Sequence, residues 1–182
     1  PDPRPDIRGN MAPGYMEIRH NLHMDMRRSI DAVGNINASF KTTFGRGGNP
    51  FGESYLCDDA EFIAVCLGSL SYQLRDVVDE LREEGLRVGV VGIRLYRPFP
   101  DEAIVAALKH TKGVIVFEKA LSYGNQGALY ADVKAALYPC ENRPALRNYI
   151  LGLGGREIKT DHLLDALRTS CTDSKPSTDA PQ

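Results

Sequence analysis

Between residues 87 and 138 the chain alternates two kinds of segment that bury themselves in different ways. Arg87–Leu95 is short and β-branched, with Val88, Val90, Val91 and Ile93, and reads as a strand. Pro98 and Pro100 break it, because a proline cannot donate to a strand ladder. Pro100 with Asp101 then suits the first turn of a helix. A proline there loses no needed hydrogen bond, and an aspartate faces the positive end of the helix dipole. That helix is expected to run to about His110. Gly113–Glu118 (GVIVFE) is a further apolar strand, and the loop Gly124-Asn125-Gln126-Gly127 leads into a helix expected from about Asn125 to Tyr138. Strands separated by helices of this length form βαβ units with right-handed crossovers. The fold class that follows is α/β, a three-layer α/β/α sandwich around a mostly parallel sheet.

The same alternation extends in both directions. Glu61–Leu67 (EFIAVCL) reads as a strand, and Leu74, Val77, Val78 and Leu81 form the stripe of a helix that Gly85 stops. A last strand is expected over Arg147–Leu151, and Thr160 is expected to cap a helix over Asp161–Arg168. Upstream, Ile18, Leu22, Met26, Ile30 and Val33 share one face of a helix expected from Gly14 to Val33, with Gly34 as its C-cap. Asn35–Asp59, rich in Gly, Asn and Phe, reads as an irregular connection. The organisation expected is therefore a linker over 1–57 carrying an amphipathic helix at about 14–33, an α/β domain over 58–170, and a disordered tail over 171–182. The prolines at 1, 3, 5 and 13 suit an extended linker, and a start at Pro1 rather than Met suggests a piece of a longer protein.

Composition removes several function classes. The net charge is -2 with both signs interspersed, so no basic stripe marks a nucleic-acid or membrane-surface partner. Cys57, Cys66, Cys140 and Cys171 are widely spaced with no CxxC pair, which argues against a zinc site or an iron–sulfur cluster within the chain. Free thiols and the absence of a visible signal peptide suit the cytoplasm. No window approaches the roughly 18 apolar residues of a membrane span. His20 and His23 lie among Met16, Met24 and Met26, but Met26 is needed on the apolar stripe, which weighs against a soft-metal site. Ser69 and Ser71 lack the second glycine of a nucleophile elbow, and Ser69 is read as a helix cap.

In open parallel sheets, ligands and partners meet the carboxyl ends of the strands. Arg94 and Arg97 follow one such end, and Glu118 closes another, ahead of the Gly124–Gly127 loop. Gly68-Ser69 and the run from Gly152 to Arg156 follow the remaining two. The arginines suit ion pairs or a subunit boundary, with a bidentate phosphate contact as the alternative. Glu118 ends an apolar strand and needs a partner there, an arginine or loop N–H groups. Gly124, Asn125 and Gly127 open a helix whose N–H groups could hold an anion, or else form a turn that lets helix and strand pack closely.

Several runs carry a family resemblance: DDAEFIAVCLGS at 58–69, VVDELREEGLRVGVVGIRLYRPFP at 77–100 and VIVFEKALSYGNQGALYADVKAAL at 114–137. Together with TTFGR at 42–46 and YILGLGGREI at 149–158, they resemble the α subunit of pyruvate:ferredoxin oxidoreductase and related 2-oxoacid:ferredoxin oxidoreductases, in particular core domain II. A weaker similarity links the pattern to the C-terminal domain of transketolase and of 2-oxoacid dehydrogenase β subunits. The resemblance implies a transketolase C-terminal-like domain within an enzyme that decarboxylates a 2-oxoacid on thiamine diphosphate and magnesium. Such an enzyme passes electrons through iron–sulfur clusters to ferredoxin and transfers the acyl group to coenzyme A. The chain contains neither the GDG diphosphate motif nor a ferredoxin-type cysteine run. No catalytic residue and no cofactor is therefore assigned to this segment. Arg94, Arg97, Glu118, Gly124, Asn125 and Gly127 are carried over as interface or loop-shaping residues, with other domains and subunits as partners. The alternatives are an anion- or coenzyme A-binding α/β module, and a dehydrogenase β-subunit domain, against which TTFGR and LGLGGREI weigh.

Overall fold

A computed structural model of the chain describes residues 14–172. The linker expected over 1–13 and most of the expected tail, 173–182, lie outside the described residues. The chain divides into two compact units between Pro50 and Phe51.

The first unit is dominated by α1 (Tyr15–Phe44), a 30-residue helix that runs well past the expected stop at Gly34. A glycine inside a helix costs about 1 kcal/mol relative to alanine, which ends a helix only when nothing resumes beyond it. Here apolar residues do resume, at Ile36, Phe40 and Phe44. The true stop is Gly45, at φ +66°, whose N–H donates to the Lys41 carbonyl. Asn37 then donates from Nδ2 to the Gly48 carbonyl at 2.8 Å and ties down the turn that follows.

The second unit is a five-stranded sheet, β1 (Gly52–Tyr55), β2 (Phe62–Leu67), β3 (Val88–Ile93), β4 (Gly113–Glu118) and β5 (Ala145–Ile150), in the order β1-β3-β2-β4-β5. Strands β2 to β5 are parallel, and β1 pairs antiparallel with β3. Strand β1 lies in the stretch expected to be irregular, so the sheet begins ahead of Asp58. Its sequence, GESY, has no apolar run because it is an edge strand with one neighbour. Glycines make that pairing possible. A Cβ on Gly89 would stand 2.6 Å from the Leu56 carbonyl oxygen, and one on Gly52 would stand 2.8 Å from that of Gly92.

Successive strand residues face opposite sides and build two cores. Ala64, Cys66, Val88, Val90, Ile115 and Phe117 pack with Leu74, Val78 and Leu81 of α2 (Leu70–Glu83) and Leu163 and Leu167 of α5 (Thr160–Thr172). Ile63, Val65, Val91, Val114 and Val116 pack with Ile104 and Leu108 of α3 (Asp101–Leu108) and Leu129, Val133 and Leu137 of α4 (Ala128–Leu137). Burying each such side chain contributes about 1.5–3 kcal/mol.

Several expected boundaries move, and one expected cap is replaced. Helix α4 starts at Ala128, not Asn125. Helix α5 continues to Thr172, so Cys171 belongs to it and not to a tail. Ser69 makes no side-chain cap bond at the start of α2; instead the Ser71 hydroxyl donates to the Gly68 carbonyl at 2.9 Å. The chain leaves β2 toward β3 on one side and returns to β4 on the other, so a topological switch point lies at the carboxyl ends of β2 and β4.

Candidate functional site

Glu118, the last residue of β4, is 4% exposed at that switch point. Its carboxylate accepts hydrogen bonds from the N–H groups of Leu129 at 2.8 Å and Tyr130 at 3.1 Å, and from Asn148 Nδ2 at 2.9 Å. Asn148 Oδ1 in turn accepts from the Gly127 N–H at 3.0 Å. The first turn of α4 therefore gives its donors to a carboxylate from a neighbouring strand. Such donors have no partner within the helix, and the positive end of the dipole favours an anion there. A Cβ on Gly127 would fall 1.7 Å from Glu118 Oε1. Gly127 has ordinary negative φ, at -63°, so it is the approach of the carboxylate that demands glycine here.

Gly124, at φ +75°, closes the preceding turn, in which the Asn125 N–H donates to the Ser122 carbonyl at 2.9 Å and the Ser122 N–H to that of Gln126 at 3.2 Å. Asn125 thus sits in the turn, ahead of the helix. Of the two readings of this segment, an anion site or a turn, the turn is the one present, and the Leu129 and Tyr130 donors are filled by the chain's own carboxylate. Within the turn, Tyr123 is 96% exposed.

Both arginines find carboxylates within the chain. Arg94 forms an ion pair with Glu53 of β1, which also holds Arg75 at 2.5 Å. The Arg75 guanidinium lies over the rings of Tyr72 and Tyr55, at 4.9 and 5.3 Å from their centroids. Arg97 donates to Asp132 of α4 at 2.8 Å and stacks on Tyr96 at 4.0 Å. Burial, then the Asp132 carboxylate, push the Tyr96 hydroxyl above its usual range. The Arg94 and Arg97 side chains are about half exposed, and ion pairs in that setting contribute ~0–1 kcal/mol each. At the carboxyl ends of β2 and β4 lies a crevice of about 230 Å³ lined by Leu67, Leu70, Tyr96, Phe117, Glu118 and Leu129, among others. Sequence reasoning missed Asn148, Glu53 and Asp132. An asparagine inside the apolar strand β5 was the one available signal.

Among the described residues no group of three His, Cys, Asp or Glu could hold a metal ion. Burial pushes the Cys66 thiol up to about 12 and that of Cys171 to about 11, so both stay protonated at neutral pH. No helix among the described residues is long and apolar enough to cross a membrane.

The sequence model of pyruvate:ferredoxin oxidoreductase core domain II matches residues 60–163. The chain belongs to this family. Core domain II here takes in β2 to β5 and the first residues of α5. Similar proteins include pyruvate synthase subunit PorA of Thermotoga maritima, 43% identical over 84% of this chain and 41% of that one. PorA of Pyrococcus horikoshii is 41% identical over 91% of this chain and 42% of that one. The chain therefore spans about two-fifths of the length of these curated relatives. Among solved structures, 2-oxoglutarate:ferredoxin oxidoreductase from Magnetococcus marinus superposes with a TM-score of 0.53 at 20% identity, covering 88% of this chain and 25% of that one. A split-gene transketolase gives 0.52 at 17% identity, covering 68% and 43%. These two likenesses establish the fold, a core domain II of transketolase-like architecture.

Proposed function

We propose that this chain is the C-terminal part of the α subunit of a 2-oxoacid:ferredoxin oxidoreductase with pyruvate as substrate, and that its role there is structural. The observation that carries this reading is the match to the family's core domain II, supported by relatives named as pyruvate synthase subunits. The complete enzyme would use thiamine diphosphate, magnesium and iron–sulfur clusters, transfer the acyl group to coenzyme A and deliver electrons to ferredoxin. The described residues do not fit these groups. They offer no metal-binding cluster, and Glu118 fills the start of α4, where a diphosphate would otherwise find donors. No chemical step is derived through this segment. Its contribution is the carboxyl edge, where Arg94, Arg97 and the Gly124–Gly127 turn are held by internal partners and face neighbouring domains or subunits. The cytoplasm is the compartment proposed, consistent with four free cysteines.

The test has two arms. The purified chain is mixed with pyruvate, coenzyme A, thiamine diphosphate, magnesium and a viologen dye, and no dye reduction is expected; turnover by the chain alone would refute a scaffolding role. In the second arm the chain replaces the matched part of P. horikoshii PorA, which is assembled with its partner subunits. Pyruvate-dependent dye reduction is expected, and a folded, assembled but inactive complex would refute the assignment to this enzyme.

A further inference from the structure

Helix α1 raises a question that the α/β unit does not: 30 residues form a helix in which none is buried. Among its apolar side chains Leu22 is 49%, Ile36 68% and Phe44 60% exposed, and Phe40 packs only against Phe44 among the aromatic rings, at 4.7 Å. At 100° per residue, Leu22, Met26, Ile30, Ile36, Phe40 and Phe44 fall within an arc of ~120° that extends along ~33 Å of helix. A glycine, two asparagines and two threonines weaken the second half of α1. A helix with so little burial normally takes its stability from a partner along its apolar face.

Two observations indicate what that partner is. The first is the spacing. With Val33 counted, the apolar residues from Leu22 to Phe44 return on average every ~3.7 residues, against the 3.5 of a left-handed two-stranded coiled coil. Over this length the seam would wander by ~100° around a copy supercoiled left-handedly, and by only ~40° along a straight helix laid on a globular surface. The second is the extent of the match. The family model's match begins only at residue 60, yet the P. horikoshii relative aligns with 91% of the chain, which takes in most of α1. Helix α1 therefore belongs to the subunit beyond core domain II, and more than half of that relative's length has no counterpart in this chain.

We infer that the apolar face of α1 is an intrasubunit docking surface, seated in an apolar groove on the part of the oxidoreductase subunit that the relatives have and this chain lacks. The inference rests on the functional reading above.

Thiol labelling of Ile36→Cys, read by peptide mass spectrometry, tests it, with Arg27→Cys on the opposite face as control. In the chain alone Ile36→Cys labels fast. In the P. horikoshii chimera it is expected to label about 100-fold more slowly, as a residue reached only by local opening does, while Arg27→Cys labels equally fast in both. The unmatched part of PorA, added in trans to the chain, is expected to give the same protection, so that a chimera that fails to fold does not decide the matter. Equal labelling of Ile36→Cys with and without that part overturns the inference. So does protection in the chain alone that rises with its concentration, which would make a second copy the occupant. A lower melting temperature of the chain alone on Phe40→Asp also overturns it, because the face would then be used within this chain. Dye reduction by the chimera reports separately on function: protection without turnover would sink the enzymatic reading and leave the docking intact.

Discussion

At the scale of single residues, the decisive contact joins Glu118 to the first turn of α4. A buried carboxylate that accepts three hydrogen bonds is expensive to lose, since its donors stay buried and unmatched. Glu118→Ala is expected to cost about 2–4 kcal/mol in urea unfolding. Gly127→Ala is expected to cost a similar amount, because its new methyl would displace the same carboxylate. The two losses should not add: with the carboxylate gone, the methyl at 127 has room. A double-mutant cycle giving simple additivity would contradict this geometry. None of this could be read from the strand VIVFE. The sequence announced a carboxylate in need of a partner, and whether an arginine or an N–H group would supply it depended on which segment the fold brought alongside.

At the scale of elements, the apolar strands β2 to β5 and the α2 stripe follow from local pattern, because burial repeats at the period of the backbone. Strand β1 does not, since its four residues are held by pairing with β3 and by the Glu53–Arg94 and Glu53–Arg75 pairs. Gly89→Ala should therefore act mainly on β1. Its methyl would strike the Leu56 carbonyl, and a loss of about 2–3 kcal/mol is expected, with hydrogen-exchange protection in β1 falling first. Helices α2 and α5 are joined by Arg168 and Glu84, at 2.5 Å. The hydrogen bond from Arg168 holds the Glu84 carboxyl below its ordinary 4.5. A carboxyl depressed in the folded state adds stability above its unfolded value and loses it as pH falls through the folded one. The melting temperature should thus decline on acidification below about 4.5, the ordinary value of Glu84, and Glu84→Gln should lessen that decline slightly, the pair being solvent-exposed.

At the scale of the whole molecule, the described residues from Phe51 to Thr172 form one compact unit with cores on both faces of a sheet. A chain starting at Phe51 is expected to unfold in a single cooperative transition, with coincident circular dichroism and fluorescence curves; separate transitions would show that α1 is needed for the sheet. The match to core domain II agrees with this division, since it too lies wholly beyond residue 50.

The sequence by itself determined the layered α/β class, four of the five strands and the family, because alternation of burial and a run of ordered motifs are local properties of a chain. Only the tertiary structure decided that a polar tetrapeptide closes the sheet antiparallel, that α1 passes through Gly34, and that Glu118 occupies the helix end that an external anion could otherwise have filled. Each of these depends on a partner tens of residues away or on what lies beyond a local breaker, and partner choice is settled by how the layers close in space.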